Sequence, residues 1–286
     1  SDIVARTVGQ ELSRQLPYPV ILENKAGGGG VPAMQEVAKS PPDGYTMILG
    51  HVGSMAVNPY IFTNTGYDVN KDFAPVTLLA KVPSLFVVNP ELPVENLKEL
   101  VAYAKNNPGK LNYGSSGAGS APHLFTEQLN IMTGIETTHI PYKGVAPLML
   151  ALLQNEIQFS LANIFSVLPQ VKAGKLRLIA TGGSKRSLLA PDVPTFSESG
   201  LKGYEPVVWF GFLAPAKTPQ PIIDLLNREI VAIARKPEVS KVIIDGGNEP
   251  VGSTPQSFAT TISTEANKWG ALGRKLGVSK IRRAHV

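Results

Sequence analysis

The sequence predicts an α/β fold in two lobes, each built on a mixed, mainly parallel sheet. Three observations carry that reading. Short runs of β-branched and aromatic residues alternate with stretches of helical periodicity, the pattern of strand–helix–strand units. The alternation comes in two series, separated by Pro90 and Pro93. A late apolar run, residues 207–213, is followed only by helices, which lets the chain return to the lobe it started in. The expected boundaries are residues 1–85 with 210–286 for the first lobe and 86–209 for the second. The chain would cross between them near 85–89 and 207–213, with a site in the cleft between the lobes.

The elements follow in order. Val4, Val8, Leu12 and Leu16 recur every four residues and give one helix stripe, capped by Ser1 or Asp2 and stopped by Pro17. Residues 20–24 (Val-Ile-Leu-Glu-Asn) read as a short buried strand, 26–30 as a glycine loop and 31–39 as a helix. Pro41-Pro42-Asp43-Gly44 is a turn, and residues 45–50 form the next strand. Residues 50–59 read as a loop at that strand's C-terminal end, where open α/β sheets place ligands. Strands are expected at 72–80 and 85–89.

The second series starts with a helix on Leu97, Leu100, Val101 and Ala104, ended by Pro108-Gly109. A strand ending at Tyr113 leads through Gly114-Ser115-Ser116-Gly117-Ala118-Gly119-Ser120 into a helix carrying Leu124, Leu129 and Ile131. Strands at 137–140, 157–163 and 176–181 alternate with helices at 146–155 and 165–173, the latter interrupted at Pro169. Beyond the strand at 207–213, helices are expected at 219–234, 238–245 and 258–276.

Composition narrows the function. An apolar fraction of 43% supports real cores, and no apolar run approaches the roughly 20 residues a membrane-spanning helix needs. The net charge of +5 is not gathered into a nucleic-acid-binding block. Lys280-Ile281-Arg282-Arg283 reads as a short solvated tail. There is no cysteine, which excludes disulfides and thiol chemistry and suits an oxidising compartment. The chain opens inside a helical pattern with no signal peptide, so a preceding strand and loop are expected to be missing.

The 114–120 turn is the strongest local signal. Its glycines free the backbone, and the following helix offers unpaired N–H groups and the positive end of its dipole. Three serines stand within six residues. The turn suits a carboxylate or a phosphate, while an ordinary strand-to-helix turn with a serine cap is the alternative. No Walker sequence or complete G-x-G-x-x-G is present, which disfavours nucleotides. His51, His123, His139 and His285 lack metal-ligand spacing, so no metal site and no cofactor are expected. Gly114-Ser115-Ser116-Gly117 fails the G-x-S-x-G spacing of a hydrolase elbow. His123 either reaches a bound anion or bonds a nearby carbonyl. Lys143-Gly144-Val145-Ala146 is a second loop feeding a helix. Asn163 is a cap or a ligand contact, and Trp209 either walls the cleft or fills a core. With no acid/base pair among them, these features favour binding over catalysis.

Several runs then resemble a known family. They are Asp2-Ile3-Val4-Ala5-Arg6, residues 20–30, Pro42-Asp43-Gly44-Tyr45-Thr46, residues 113–120 with His123-Leu124, His139-Ile140-Pro141-Tyr142-Lys143-Gly144, Pro191-Asp192-Val193-Pro194-Thr195 and residues 209–219. In order and over nearly the whole chain, they are similar to the Bug-type (TctC-like) periplasmic solute-binding proteins of tripartite tricarboxylate transporters. The resemblance implies a two-lobed Venus-flytrap fold of the type II-like class. It implies non-catalytic capture of a small organic carboxylate: a di- or tricarboxylate, an acidic amino acid or an aromatic carboxylate. It also implies transporter membrane subunits as partners, a periplasmic location and a monomer. The residues it carries over as ligand-binding are Ser1, Asp2, Ser54, Asn58, Ser115, Ser116, Gly119, Ser120, His123, Lys143, Gly144, Ala146 and Asn163. Two rival readings are a ligand-sensing module that docks to a receptor, and a serine hydrolase using Ser115, Ser116 and His123.

Overall fold

A computed structural model describes residues 2–25, 30–61, 64–118 and 120–275. The expected glycine loop at 26–30 lies outside these residues except for Gly30, as do Ser1, Gly119 and the basic tail. The chain divides into two compact units. One comprises Ser1–Lys81 with Trp209–Val286, the other Val82–Val208.

The first unit opens with α1 (Asp2–Gln15), whose buried face is Val4, Val8 and Leu12. Helix α2 (Val31–Ala38) buries Val31 and Met34, with Pro32 in its first turn where a missing N–H costs nothing. Strand β1 (Ile48–His51) follows. Residues 50–59, expected as a loop, are instead mostly helical: a single π-helical turn over Gly53–Val57 runs into α3 (Asn58–Ile61). Ser54, Met55, Ala56 and Val57 are all buried there, and coiling pairs the backbone of a segment that solvent cannot reach. After α4 (Val69–Asp72), β2 (Phe73–Pro83) leads toward the second unit.

The chain returns through β8 (Val207–Pro215), α9 (Gln220–Ala234), α10 (Pro237–Asp245), β9 (Glu249–Pro250) and α11 (Pro255–Lys275). The sheet order is β1-β8-β2-β9. Helix α1 packs on α9 and α10. Glu11 is buried in α1 and accepts a bond from Lys236 Nζ at 2.6 Å, a charge paired as burial requires.

Residues 20–24 form no strand. Ile21 is 80% exposed, and the backbone N–H of Val20 is taken by the Ser13 hydroxyl at 2.7 Å. An apolar run becomes a strand only where a neighbour offers a ladder, and none is offered there.

The second unit is β3 (Leu85–Val88), α5 (Leu97–Asn106), β4 (Leu111–Ser115), α6 (Ala121–Thr133), β5 (Thr137–Pro141), α7 (Val145–Leu153), β6 (Phe159–Ala162), α8 (Ile164–Lys172) and β7 (Arg177–Thr181). Its sheet runs β5-β4-β6-β3-β7. On one face, Leu85 and Val87 pack with Leu148, Leu152, Ile157, Ile164 and Val167. On the other, Phe86 stacks on Phe159 at 5.1 Å and Phe159 on Tyr113 at 5.8 Å. Helix α8 is not interrupted at Pro169: the lost N–H costs one bond, while Ile164 and Val167 anchor the helix in the core.

The strand balance is more antiparallel than expected. β1–β8 and β2–β9 pair antiparallel. In the second sheet β4 is parallel to β5 and β6, whereas β3 is antiparallel to β6 and β7. Strand β3 lies between β6 and β7 and runs antiparallel to both.

Candidate functional site

The parallel part of the second sheet positions most of the predicted residues. β5, β4 and β6 lie side by side, and each feeds a helix from its C-terminal end. β4 leads to α6, β5 to α7 and β6 to α8. Three helix N-termini, with their free N–H groups, therefore emerge at one end of one sheet.

The loops touch. Tyr142 N donates to Ser115 O at 2.9 Å, and Gly144 N donates to Tyr142 O at 3.0 Å. A Cβ built on Gly117, whose φ is 136°, would stand 3.9 Å from Tyr142 O. Ser120 is the N-cap of α6. It makes no capping bond, and its buried Oγ has no partner among the described residues. His123 lies in the first turn of that helix. Gly144 caps α7, so Val145 and Ala146 form its exposed first turn after Lys143. Asn163 caps α8 by accepting from Phe165 N at 3.0 Å, the plain structural use foreseen for it. Gly119 lies outside the described residues, and Ser116 is half-buried in the turn.

Ser115 points inward. It is fully buried and ends β4 two residues later than expected. Its Oγ lies 2.7 Å from His139 Nε2, 2.9 Å from Gly117 O and 3.3 Å from Gly117 N. The His139 ring stacks on His123 with centroids 3.9 Å apart and on Tyr113 at 4.9 Å. Tyr113 OH donates to Glu127 Oε1 at 2.5 Å. Burial, helped by the neighbouring His123, pushes His139 down to about 4. Burial also lowers His123, against the pull of the Glu127 carboxylate. The Tyr113 hydroxyl is driven up by burial and by its bond to Glu127.

Sequence reasoning placed His139 in a strand and in a family-like run, as it did Tyr113, but gave neither of them, nor Glu127, a role at the site. The one signal available was strand alternation: Tyr113 and Ser115 share a face of β4, and His139 sits opposite Tyr113 in β5. A Ser–His contact also invites the hydrolase reading. Ser115 is closed to substrate, however, and His139 is a weak base. Among the described residues no carboxylate is seen bonded to His139, and Glu127, the one in this network, is bonded to Tyr113.

In the first unit, the Asp2 carboxylate is held by Arg6 Nε at 2.9 Å and Asn24 Nδ2 at 2.6 Å, which keep it below the usual carboxylate range. It ties the start of α1 to the exposed 20–24 segment. Ser54 is buried, and its Oγ bonds both backbone groups of His51. Asn58 is buried, with its Nδ2 3.5 Å from Tyr67 OH. Trp209 is buried edge-on against Phe258 at 5.9 Å, the packing role. Among the described residues there is no metal-binding cluster, and no helix is long and apolar enough to cross a membrane.

Comparison with known proteins adds four findings. The model of the tripartite tricarboxylate transporter family receptor, TctC, matches residues 4–278. Protein BugT of Bordetella pertussis is 34% identical over 97% of this chain and 85% of its own length. Among solved structures, Rpa4515 of R. palustris with adipate is 35% identical with a TM-score of 0.81, covering 98% of this chain and 94% of that one. MatC from Rhodopseudomonas palustris with bound malate is 30% identical with a TM-score of 0.76, covering 95% and 94%.

Proposed function

This chain belongs to the tripartite tricarboxylate transporter receptor family, TctC, and we propose that it captures a small organic carboxylate and hands it to membrane subunits of a transporter. The observation that carries this reading is the convergence of the α6, α7 and α8 N-termini at the C-terminal ends of three neighbouring parallel strands. Backbone N–H groups there suit an anion, and the buried, unpartnered Ser120 hydroxyl adds a donor at the same place. The 115–120 turn, Lys143 and the α7 first turn would hold the carboxylate. Lys143 would supply charge and Gly144 the approach of backbone.

Solved relatives with adipate and malate support a dicarboxylate as the first ligand class to try. A periplasmic location and a receptor role without chemistry follow the same reading. The buried Ser115 and the lowered His139 weigh against the hydrolase alternative.

Thermal unfolding in the presence of adipate, malate, citrate, aspartate and benzoate tests the proposal. A ligand at a hundred times its Kd stabilises the folded state by about 2.7 kcal/mol, a shift of several degrees. Substituting Lys143 by Ala should weaken the active ligand without changing the melting temperature of the free protein. If the whole panel leaves the melting temperature where it was, the reading is wrong.

A further inference from the structure

Beneath the 115–120 turn lies a polar network that the proposed capture does not itself require. The single hydroxyl hydrogen of Ser115 has two claimants, Gly117 O at 2.9 Å and His139 Nε2 at 2.7 Å. If it went to His139, two lone-pair oxygens would face each other at 2.9 Å. The consistent assignment has Ser115 donating to Gly117 O while accepting from His139 Nε2–H and from Gly117 N–H. His139 is then the Nε2–H tautomer, and Nδ1 is its one nitrogen with a lone pair. The stacked His123 ring lies 3.9 Å away, so the pair can hold one positive charge but not two without strong repulsion.

We propose that Ser115, His139 and His123 form a proton-coupled specificity device: an anion seated on the 115–120 turn draws one proton from solvent onto the stacked imidazole pair. The inference rests on the carboxylate reading above and goes beyond it. His139 is bonded to the residue that begins the turn, and His123 stands in the first helical turn that follows it. Because both rings are tied to the ends of that turn, a negative charge seated there would favour their protonated form. In the free protein the pair is held neutral by burial. The groups that face the rings from each element are Tyr113 and Ser115 on β4, Glu127 on α6 and, beyond β5, Tyr142 bonded to Ser115 O. Among the described residues that face the rings, the one carboxylate is Glu127, which is engaged with Tyr113. The incoming proton lands on His139 Nδ1 or on His123, and no covalent bond changes. Monoanions and dianions would be told apart by how strongly each charges the pair.

Two measurements decide it. In the ligand-free protein, ring-nitrogen NMR shifts should place His139 as the Nε2–H tautomer, and the two rings should titrate as a coupled pair, below an ordinary histidine. Independent titration of both near 6.5 would overturn the proposal. With malate as probe, calorimetry at pH 6 in buffers of different ionisation enthalpy should show proton uptake in the native protein that the double variant His123→Phe with His139→Gln, which removes both imidazoles, lacks. The glutamine still donates to Ser115, and its value subtracts any proton taken up by malate itself. Where one proton is linked, malate affinity should rise by up to tenfold per unit fall in pH. Equal uptake in the native protein and the variant would sink the proposal while leaving carboxylate capture intact. Failure of malate to bind at all would count against the capture reading, and the NMR titration would then decide the imidazole pair alone.

Discussion

Tyr113 and Glu127 join strand β4 to helix α6 through a 2.5 Å hydrogen bond, with the phenol wholly buried. The ring fills a stack between Phe159 and His139, so its shape and its hydroxyl do separate things. Tyr113→Phe keeps the stack and leaves the Glu127 oxygen without its donor. The loss should be about 1–3 kcal/mol of folding stability, because an unmet polar group costs more than the bond itself contributes. Urea titration reads it, and an unchanged midpoint would show that water replaces the phenol at no cost.

A second prediction concerns acid. His139 has an ordinary value of 6.5 when unfolded and about 4 when folded, so the unfolded chain binds more protons between those limits. Stability from this group is complete above pH 6.5 and is lost as pH falls toward 4. Solvent reaches part of the ring, so the contribution is discounted to about 1–2 kcal/mol. The carboxylates Asp2, Glu11 and Glu198 are lowered instead, by their bonds to Arg6, Lys236 and Arg186 respectively, so their contributions disappear at lower pH. Urea midpoints at pH 7 and pH 5 should therefore differ more in the native protein than in His139→Gln, where His51 and His123, also lowered by burial, still contribute. An equal drop in both would assign the acid sensitivity elsewhere.

The alternation of strands and helices was legible because it rests on local periodicity. The four-residue spacing of Val4, Val8 and Leu12 and the stripe of Leu97, Leu100 and Ala104 both bury the faces they announce. Failures came where the deciding partner lies outside the segment. Residues 20–24 carry a strand's composition and lack a strand's neighbour. Residues 50–59 carry a loop's glycines, yet burial coils them into a π-turn. The candidate site shows the same division. Ser120 and Gly144 were readable because capping is a matter of adjacent residues. The role of His139 was not, since only the pairing of β4 with β5 sets Tyr113 and His139 side by side.

A third prediction uses Gly114. A Cβ there would stand 2.2 Å from Leu148 Cδ1 and 2.3 Å from Ile157 Cδ1, both in the buried core beneath α7. Gly114→Ala would push those side chains off their rotamers and lift α7 from the sheet, at about 1–3 kcal/mol. Because α7 and its cap carry Gly144 and Ala146 of the proposed site, carboxylate binding should weaken along with stability. A variant that loses stability and binds carboxylate at native affinity would show that α7 contributes no donors.

Gly144 offers the converse test. Its φ of 101° and ψ of −175° fall in a region that only glycine occupies freely. A Cβ there meets nothing within 4 Å, so space is not the constraint and backbone conformation is. Gly144→Ala must either bear about 1–3 kcal/mol of strain or let the residue relax toward an ordinary φ. Relaxation would re-aim the Val145 and Ala146 N–H groups at the start of α7. The loop is at the surface, so relaxation is the easier route and global stability should change little. Binding should then fall by about tenfold or more, the equivalent of roughly 1.4 kcal/mol, with the urea midpoint nearly unmoved. This separation of binding from stability distinguishes Gly144 from Gly114, where the two should fall together. If Gly144→Ala kept native carboxylate affinity, the first turn of α7 would not be part of the anion site.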